Sequence, residues 1–120
     1  MGYQSFKDLR VWQEAKHMAV DVYKITSIGR LSKDFGFRDQ LQRSAVSIAS
    51  NIAEGYERSS NKEFIRFLLM AKGSLSELRT QLDIAQSIGY IEEETFQTIE
   101  KQCQHIGAML TKLIKSQKTH

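Results

Sequence analysis

The sequence predicts an all-α protein, an antiparallel up-down-up-down four-helix bundle that forms a single domain over residues 1–120. Proline is absent, and the chain is rich in residues with high helix propensity. Apolar residues recur at spacings of three and four along four long segments, which is the period of a helix with one buried face. Only about three polar residues separate the second segment from the third, so these two helices must turn back on each other.

The first helix is predicted over residues 6–25. Ser5 precedes it, and Asp8 stands three residues later as a weaker partner in a capping box. Its inward stripe consists of Leu9, Trp12, Ala15, Ala19 and Val22. Glu14 and His17 have the Glu-x-x-His spacing of di-iron bundles, but a rotation of about 100° per residue turns both away from that stripe. The sequence contains no second such pair, so we expect no metal site and no cofactor.

Residues 26–36 interrupt the helical pattern and contain two glycines. They predict a crossover loop, and we expect Leu31 and Phe35 to pack down on the end of the bundle. The second helix is predicted over residues 37–58. Its inward stripe consists of Leu41, Ala45, Ile48 and Ile52.

The third helix is predicted over residues 61–88. Ser60 and Glu63 form a capping box at its start, and Gly89 is typical of a helix end. Gly73 lies inside this helix, where glycine costs about 1 kcal/mol relative to alanine, so we expect a close contact there. The inward stripe consists of Phe64, Phe67, Leu68, Ala71, Leu75, Leu78, Leu82 and Ala85.

The fourth helix is predicted over residues 92–115. Three glutamates at 92–94 place negative charge at its start, where the helix dipole favours it. The one cysteine, Cys103, lies on the inward stripe and is expected to be a small buried hydrophobe. A lone cysteine cannot form an internal disulfide, and the first residues, MGYQSFKDLR, lack the apolar core of a signal peptide. We therefore expect a cytoplasmic protein.

A second, polar stripe runs beside the apolar one on the second helix and faces a similar stripe on the third. Its members are Ser44, Ser47, Asn51, Glu54, Arg66, Ser74 and Glu77. As structure, these residues would form a hydrogen-bonded seam, with Glu54 near Arg66 and with Ser44 or Ser47 near Ser74. Alternatively, the stripe could line a pocket of an enzyme in which Glu54 and Glu77 are the catalytic carboxylates. We favour the seam and expect no enzymatic activity.

The segment FIRFLLMA in the third helix is apolar on nearly every side. Ile65, Leu69 and Met70 lie off the inward stripe, and three neighbouring helices cannot cover a helix completely. These three residues therefore predict a contact between subunits of an oligomer.

The net charge of +3 is modest, but no acidic residue follows Glu100. The basic end of the chain is consistent with a solvated helix end whose cations complement the helix dipole, or with a surface that binds phosphate. Candidate nucleic-acid contacts are Arg10, Lys16, Lys62, Lys72, Lys112, Lys115 and Lys118. Most aromatic residues lie on core stripes, so we expect recognition of the backbone without stacking on bases.

Two stretches are typical of a known family: FKDLRVWQEA near the start, and QLQRSAVSIASNIAEGYERSSNKEFIRFLLMAKGSLSELRTQLDIAQSIGYI. They resemble the small four-helix-bundle proteins encoded in intervening sequences of bacterial 23S ribosomal RNA genes. The chain is also similar to a relative of that family, the accessory variability determinant of diversity-generating retroelements, which forms a ring of five and binds nucleic acid together with a reverse transcriptase. The resemblance implies a homopentamer without enzymatic activity.

The sequence thus supports one main function and one alternative. The main hypothesis is a non-enzymatic, oligomeric protein that binds RNA, or the DNA backbone, through its basic outer surfaces. The alternative is a protein-interaction adaptor for a co-encoded partner such as a reverse transcriptase. No apolar stretch approaches the length of a membrane span, so we expect no membrane partner.

Overall fold

The protein is represented by a computed structural model that describes residues 5–119. Residues 1–4 and 120 of the predicted domain lie outside the described residues. Over that range the chain forms four α-helices and no strand: α1 (Arg10–Thr26), α2 (Phe35–Tyr56), α3 (Asn61–Ser87) and α4 (Glu93–Lys118). The predicted all-α four-helix bundle is confirmed.

The four helices pack as a square. α1 contacts α2 and α4, α3 contacts the same two helices, and the contact between α2 and α3 is the most extensive. Within the described residues, α2 and α4 do not pack on each other and so lie on a diagonal. The bundle measures 46 × 21 × 20 Å. None of these helices is both long and apolar enough to cross a bilayer.

The core lies along the axis of the bundle, where the apolar stripes of the four helices meet. Its largest fully buried side chains include Met18, Leu31, Leu41, Ile48, Ile52, Leu68, Leu78, Leu82, Ile106 and Leu110. Full burial of each is worth roughly 1.5–3 kcal/mol, and this burial drives helix association. Met18 was missing from the predicted stripe of the first helix, although it stands at helical spacing from Ala15 and Val22.

The first helix begins later than predicted. Ser5 Oγ accepts a hydrogen bond from the Lys7 N–H at 3.0 Å, but it caps a short 3-10 turn, Phe6–Asp8, rather than α1. The backbone is extended at Leu9, and α1 starts at Arg10. The break lets the Phe6 ring meet the Trp12 ring edge-on, with centroids 5.2 Å apart. In a continuous helix, six residues at about 100° each would put these rings on different faces.

The crossover between α1 and α2 contains a second 3-10 turn, Gly29–Lys33. Leu31 in this turn is fully buried, as predicted. Phe35 does not pack on the bundle: α2 begins there, and its side chain is 63% exposed. Asp34 caps α2 by accepting a hydrogen bond from the Phe37 N–H, and Phe37 packs against the core instead. The prediction for Phe35 was wrong because α2 starts two residues earlier than expected.

The third helix, α3, ends just before Gly89, as the sequence predicted. Gly89 has a φ of +82°, a left-handed conformation that glycine adopts without strain. The Tyr90 N–H donates to the Ala85 carbonyl and the Gly89 N–H to the Gln86 carbonyl, which is the hydrogen-bond pattern of a Schellman motif. At the other end of the helix, Ser60 Oγ accepts from the Glu63 N–H at 3.1 Å, so the predicted N-cap is confirmed.

Candidate nucleic-acid interface

The antiparallel arrangement brings the start of α1, the end of α2, the start of α3 and the end of α4 to one end of the bundle. Five of the seven predicted cations belong to those termini. We call this surface the basic end; it consists of Arg10, Lys62, Lys112, Lys115 and Lys118. These positions are far apart in sequence, and the helix directions alone place them together.

Two shallow hollows show how closely the termini approach. Arg10 and Lys112 line one hollow of about 430 Å³ between α1 and α4. Gln117 of α4 lines another of about 230 Å³ together with Ser60 and Asn61 at the start of α3. The last turns of α4 therefore lie between the first turns of α1 and α3.

The lysines of the basic end are exposed and uncommitted. Lys62, Lys112, Lys115 and Lys118 form no hydrogen bond or ion pair with another described residue. Arg10 Nε lies 3.8 Å from Glu14 Oε2, an exposed pair of small energetic value. The three lysines of α4 keep their charge available for a ligand, whereas Lys62 also interacts electrostatically with the Glu63 carboxyl.

Lys16 and Lys72 do not join the basic end. Lys16 Nζ lies 5.9 Å from the centroid of the Trp12 ring, on the side of α1 that faces α2. Lys72 is half-buried, and its Nζ donates a hydrogen bond to Thr111 Oγ1 of α4 at 3.0 Å. Both side chains make contacts within the bundle.

The polar stripes of α2 and α3 meet as a hydrogen-bonded seam. Ser47 Oγ and Ser74 Oγ are 2.9 Å apart, and Ser44 Oγ donates to Glu77 Oε1 at 3.3 Å. Asn51 Nδ2 donates to the Ser47 carbonyl at 2.9 Å. The predicted approach of Ser47 to Ser74 is confirmed, and the seam satisfies polar groups at a close helix contact.

The predicted pairing of Glu54 with Arg66 was wrong. Glu54 Oε2 accepts from Arg58 on its own helix at 3.2 Å, and Arg66 donates to Glu63 Oε1 at 3.1 Å. Each charge finds a partner one turn away without crossing to the other helix. The hydrogen bond from Arg66 lowers the pKa of the exposed Glu63 carboxyl.

The two carboxylates considered for an enzyme do not share a cavity. Glu77 borders a hollow of about 220 Å³ on the seam, whose lining is Gln40, Arg43, Ser44, Ser47, Glu77 and Gln81. Glu54 lies outside it. Glu14 lies near Arg10, and His17 lies 3.5 Å from Asp21. Over residues 5–119 no group of three His, Cys, Asp or Glu side chains is arranged to hold a metal ion.

The predicted oligomer contact is only partly open. Leu69 and Met70 are 54% and 44% exposed, whereas Ile65 is half-buried and packs against the core. Ile65 therefore contributes less free surface than its place in the sequence suggested.

A larger apolar surface, which sequence reasoning missed, lies between α1 and α2. This α1–α2 groove has a volume of about 510 Å³, and its lining consists of Phe6, Trp12, Lys16, Ala19, Val20, Tyr23, Val46, Ala49, Ser50 and Ala53. Val20, Tyr23 and Val46 are each more than two-fifths exposed. The sequence did contain a sign of this groove, because Val20, Tyr23 and Val46 are apolar residues that lie beside the inward stripes of the first and second helices.

The fold and the basic end define a four-helix-bundle protein with an exposed cluster of lysines at one end. A family model described as 23S rRNA-intervening sequence protein matches residues 7–112, and the chain belongs to that family. The chain is similar in structure to a protein of unknown function from the S23 ribosomal protein family of Bacteroides thetaiotaomicron VPI-5482. The two share 28% sequence identity over 88% of this chain and 98% of the other, with a TM-score of 0.80. Among curated proteins, none matches this chain.

Proposed function

We propose that this chain is a non-enzymatic, oligomeric protein that binds the phosphate backbone of RNA through its basic end. The observation that carries the proposal is the convergence of Lys62, Lys112, Lys115 and Lys118 on one surface, where the three lysines of α4 have no carboxylate partner among the described residues. Each lysine that neutralises a phosphate releases condensed counterions, which is the main source of backbone affinity.

The helix dipole does not account for all of these lysines. Lys115 and Lys118 lie in the last turn of α4, where the dipole favours cations. Lys62 is different, because it lies in the first turn of α3, where the dipole disfavours positive charge. A phosphate ligand that bridges α3 and α4 would explain why Lys62 faces the same end as the α4 lysines.

The oligomeric part of the proposal concerns the two apolar surfaces. The α1–α2 groove is concave, whereas Leu69 and Met70 project from α3, which does not pack on α1. Contact between two different surfaces of identical subunits is head-to-tail, and such contacts form a ring when the rotation between subunits closes and a filament when it does not. We propose a ring, a pentamer by family resemblance, located in the cytoplasm. A ring would also multiply the number of basic ends that one RNA can contact.

The test of RNA binding is the affinity for a structured RNA, measured by fluorescence anisotropy over a series of salt concentrations. We expect the logarithm of the binding constant to fall linearly with the logarithm of salt concentration. In a Lys112→Ala/Lys115→Ala double variant the slope should decrease by about 1.4–1.8, since each lost phosphate contact is worth roughly 0.7–0.9 in slope.

The matched control is a Lys24→Ala/Lys101→Ala double variant, which changes the net charge equally at two exposed lysines outside the basic end. We expect it to keep the wild-type slope. Equal losses in both double variants would mean that net charge alone controls binding, and an affinity that is independent of salt would contradict backbone recognition.

The alternative function, an adaptor for a protein partner, is favoured by the α1–α2 groove, because exposed apolar surfaces of this kind often bind other proteins. The two uses of the groove can be separated with a Val46→Glu variant. If this variant keeps its mass in solution but no longer retains a protein from nuclease-treated lysate, the groove serves an adaptor. If its mass falls, the groove joins copies of the chain.

A further inference from the structure

The end of the bundle opposite the basic end carries an aromatic ring that contributes nothing to the core. Phe35 is the first residue of α2, whose last residue, Tyr56, lies near the basic end. Its side chain is 63% exposed, more than any other aromatic side chain among residues 5–119. An apolar ring held in water at a defined position is available to a ligand.

The ring is held in place by an arginine. The Arg38 guanidinium carbon lies 4.9 Å from the centroid of the Phe35 ring, in cation–π contact. Arg38 is itself fixed, because it donates to the Ser32 carbonyl at 3.2 Å and to Asp39 Oδ1 at 3.1 Å. One side of the ring is therefore covered by a positioned cation while the rest of the ring faces solvent. A ring fixed in this way loses little conformational freedom when a ligand binds.

Two further cations lie just before the ring in the sequence. Arg30 and Lys33 are exposed on the 3-10 turn that leads into α2, and neither forms an ion pair with a described residue. Arg30 is positioned by a 3.0 Å hydrogen bond to the Gly89 carbonyl and by its guanidinium carbon, 5.4 Å from the centroid of the Tyr90 ring.

The two acidic groups nearest Phe35 in the sequence are engaged. Asp34 accepts hydrogen bonds from the Tyr90 hydroxyl and the Phe37 N–H, and Asp39 accepts from Arg38. The glutamates at 92–94 begin α4, which lies diagonally across the bundle from α2, and they follow the Gly89–Tyr90 loop that Arg30 contacts. The surface beside Phe35 therefore combines an open aromatic face with two cations, Arg30 and Lys33, that form no ion pair with a described residue.

We propose that Phe35 stacks against an unpaired base of bound RNA, with Arg30 and Lys33 contacting the phosphates on either side of that base. This inference rests on the proposed RNA binding and adds a base contact at the end of the bundle away from the backbone-binding lysines. Every base has a π-face, so such stacking tolerates any sequence but requires a single strand. The arrangement gives the protein a preference for unpaired over duplex RNA, which the basic end alone does not provide.

The test compares a labelled 12-nucleotide oligoadenylate with an RNA duplex of the same length, by fluorescence anisotropy at one salt concentration. We expect Phe35→Leu to weaken binding of the single strand by about 5- to 150-fold, the loss typical of one base–aromatic contact. Affinity for the duplex should not change. Phe35→Trp, which keeps an aromatic face, should retain single-strand affinity.

The control is Ile28→Ala, which removes another exposed apolar side chain, 68% exposed, before the same turn. It should leave both affinities unchanged. Phe35 is largely exposed, so Phe35→Leu should melt at the wild-type temperature, and that measurement accompanies the binding assay.

The outcomes separate this inference from the proposed function. If the wild-type protein binds both RNAs and Phe35→Leu binds them equally well, stacking is overturned and backbone binding stands. A loss of the same size for single strand and duplex would also overturn stacking, since it would indicate a structural effect. A wild-type protein that binds neither RNA overturns both proposals. If Phe35→Leu keeps its RNA affinity but loses a co-purifying protein, the ring belongs to a protein contact and the inference is wrong.

Discussion

At the scale of single residues, Cys103 illustrates how the bundle controls chemistry. Its thiol is fully buried, with Sγ 3.5 Å from Met18 Sδ. Burial raises the pKa of Cys103 from its ordinary value of 9.0 to about 12, and the nearby Glu100 carboxylate acts in the same direction. Because the thiolate is the reactive species, the folded protein holds an inert cysteine.

We therefore expect iodoacetamide at pH 8 to modify Cys103 far more slowly in the native protein than in 6 M urea. Mass spectrometry of samples taken over time gives both rates. If the native protein is alkylated as fast as the denatured one, the thiol is not in the core.

The raised pKa of Cys103 also predicts how stability depends on pH. Below pH 9 both the folded and the unfolded thiol keep their proton, so the contribution is constant. Between about pH 9 and 12 the unfolded thiol ionises first, and the free energy of unfolding falls as pH rises. In urea melts, the stability advantage of the wild-type protein over Cys103→Ala should shrink by about 2 kcal/mol between pH 8 and pH 10.5. An advantage that does not change with pH would contradict the shift.

Alanine substitution is predicted to change stability in opposite directions at two glycines, Gly55 and Gly73. A Cβ at Gly55 would lie 2.6 Å from Phe67 Cβ, so Gly55 permits the close approach of α2 and α3. At Gly73, where we expected a close contact, a Cβ would meet nothing within 4 Å. Gly55→Ala should destabilise the bundle by about 1–3 kcal/mol, whereas Gly73→Ala should stabilise it by about 0.5–1 kcal/mol. Thermal melts of the two variants check both signs, and each variant serves as the control for the other.

At the scale of helices, one ion pair joins α3 to α4. Arg79 donates to Glu100 through Nε at 3.2 Å and through Nη2. This hydrogen bonding lowers the pKa of Glu100 and raises that of Arg79. Glu100 is the more shielded partner, since its side chain is 18% exposed against 42% for Arg79. The pair adds a polar contact to the packing of α3 on α4.

The Arg79–Glu100 pair should stabilise the protein only above the range in which Glu100 takes up a proton. A carboxyl with a lowered folded pKa contributes stability above its unfolded pKa of 4.5 and loses it as pH falls through the folded value. Glu100→Gln should therefore cost about 0.5–1 kcal/mol at pH 7, allowing for the exposure of Arg79, and almost nothing at pH 3. Urea melts at the two pH values measure the difference. A cost that is equal at both pH values would show that the substitution acts through packing.

At the scale of the whole molecule, the antiparallel topology determines which surfaces exist. It gathers four helix termini and their lysines at one end, and it leaves the α1–α2 groove uncovered. A subunit of 13.8 kDa with this much open apolar surface is expected to associate. The oligomer and its contact surfaces are therefore the properties to test first.

Light scattering should report a mass several times 13.8 kDa for the wild-type protein, about five times for the proposed pentamer. Val46→Glu in the groove and Leu69→Glu on α3 should each lower that mass, since both introduce a charge into a proposed contact. Thr98→Glu, at an exposed position of α4, should leave the mass unchanged. A wild-type protein that is monomeric at micromolar concentration contradicts the ring.

The sequence could predict which cations belong to the candidate nucleic-acid interface, but not which of them lie together on one surface. Sequence reasoning found the lysines of α4 because acidic residues are absent after Glu100, and it found Lys62 as a solvent-facing cation on the hairpin of the second and third helices. It also selected Lys72, which the structure commits to Thr111. It also expected Phe35 to pack on the end of the bundle, where the structure leaves the side chain exposed. A single helix start displaced by two residues produced that error, since helix boundaries depend on capping contacts that periodicity does not show.

By itself the sequence determined the number of helices, their apolar faces, the short hairpin between α2 and α3, and the caps at Ser60 and Gly89. These follow from local rules, because helical periodicity and capping depend on neighbours within a few residues. Only the tertiary structure decided that Gly55 rather than Gly73 is the close contact, that Glu54 pairs with Arg58, and that α1 and α2 leave a groove. Each of these depends on the rotation and spacing of packed helices, which are fixed by the sum of contacts across the core.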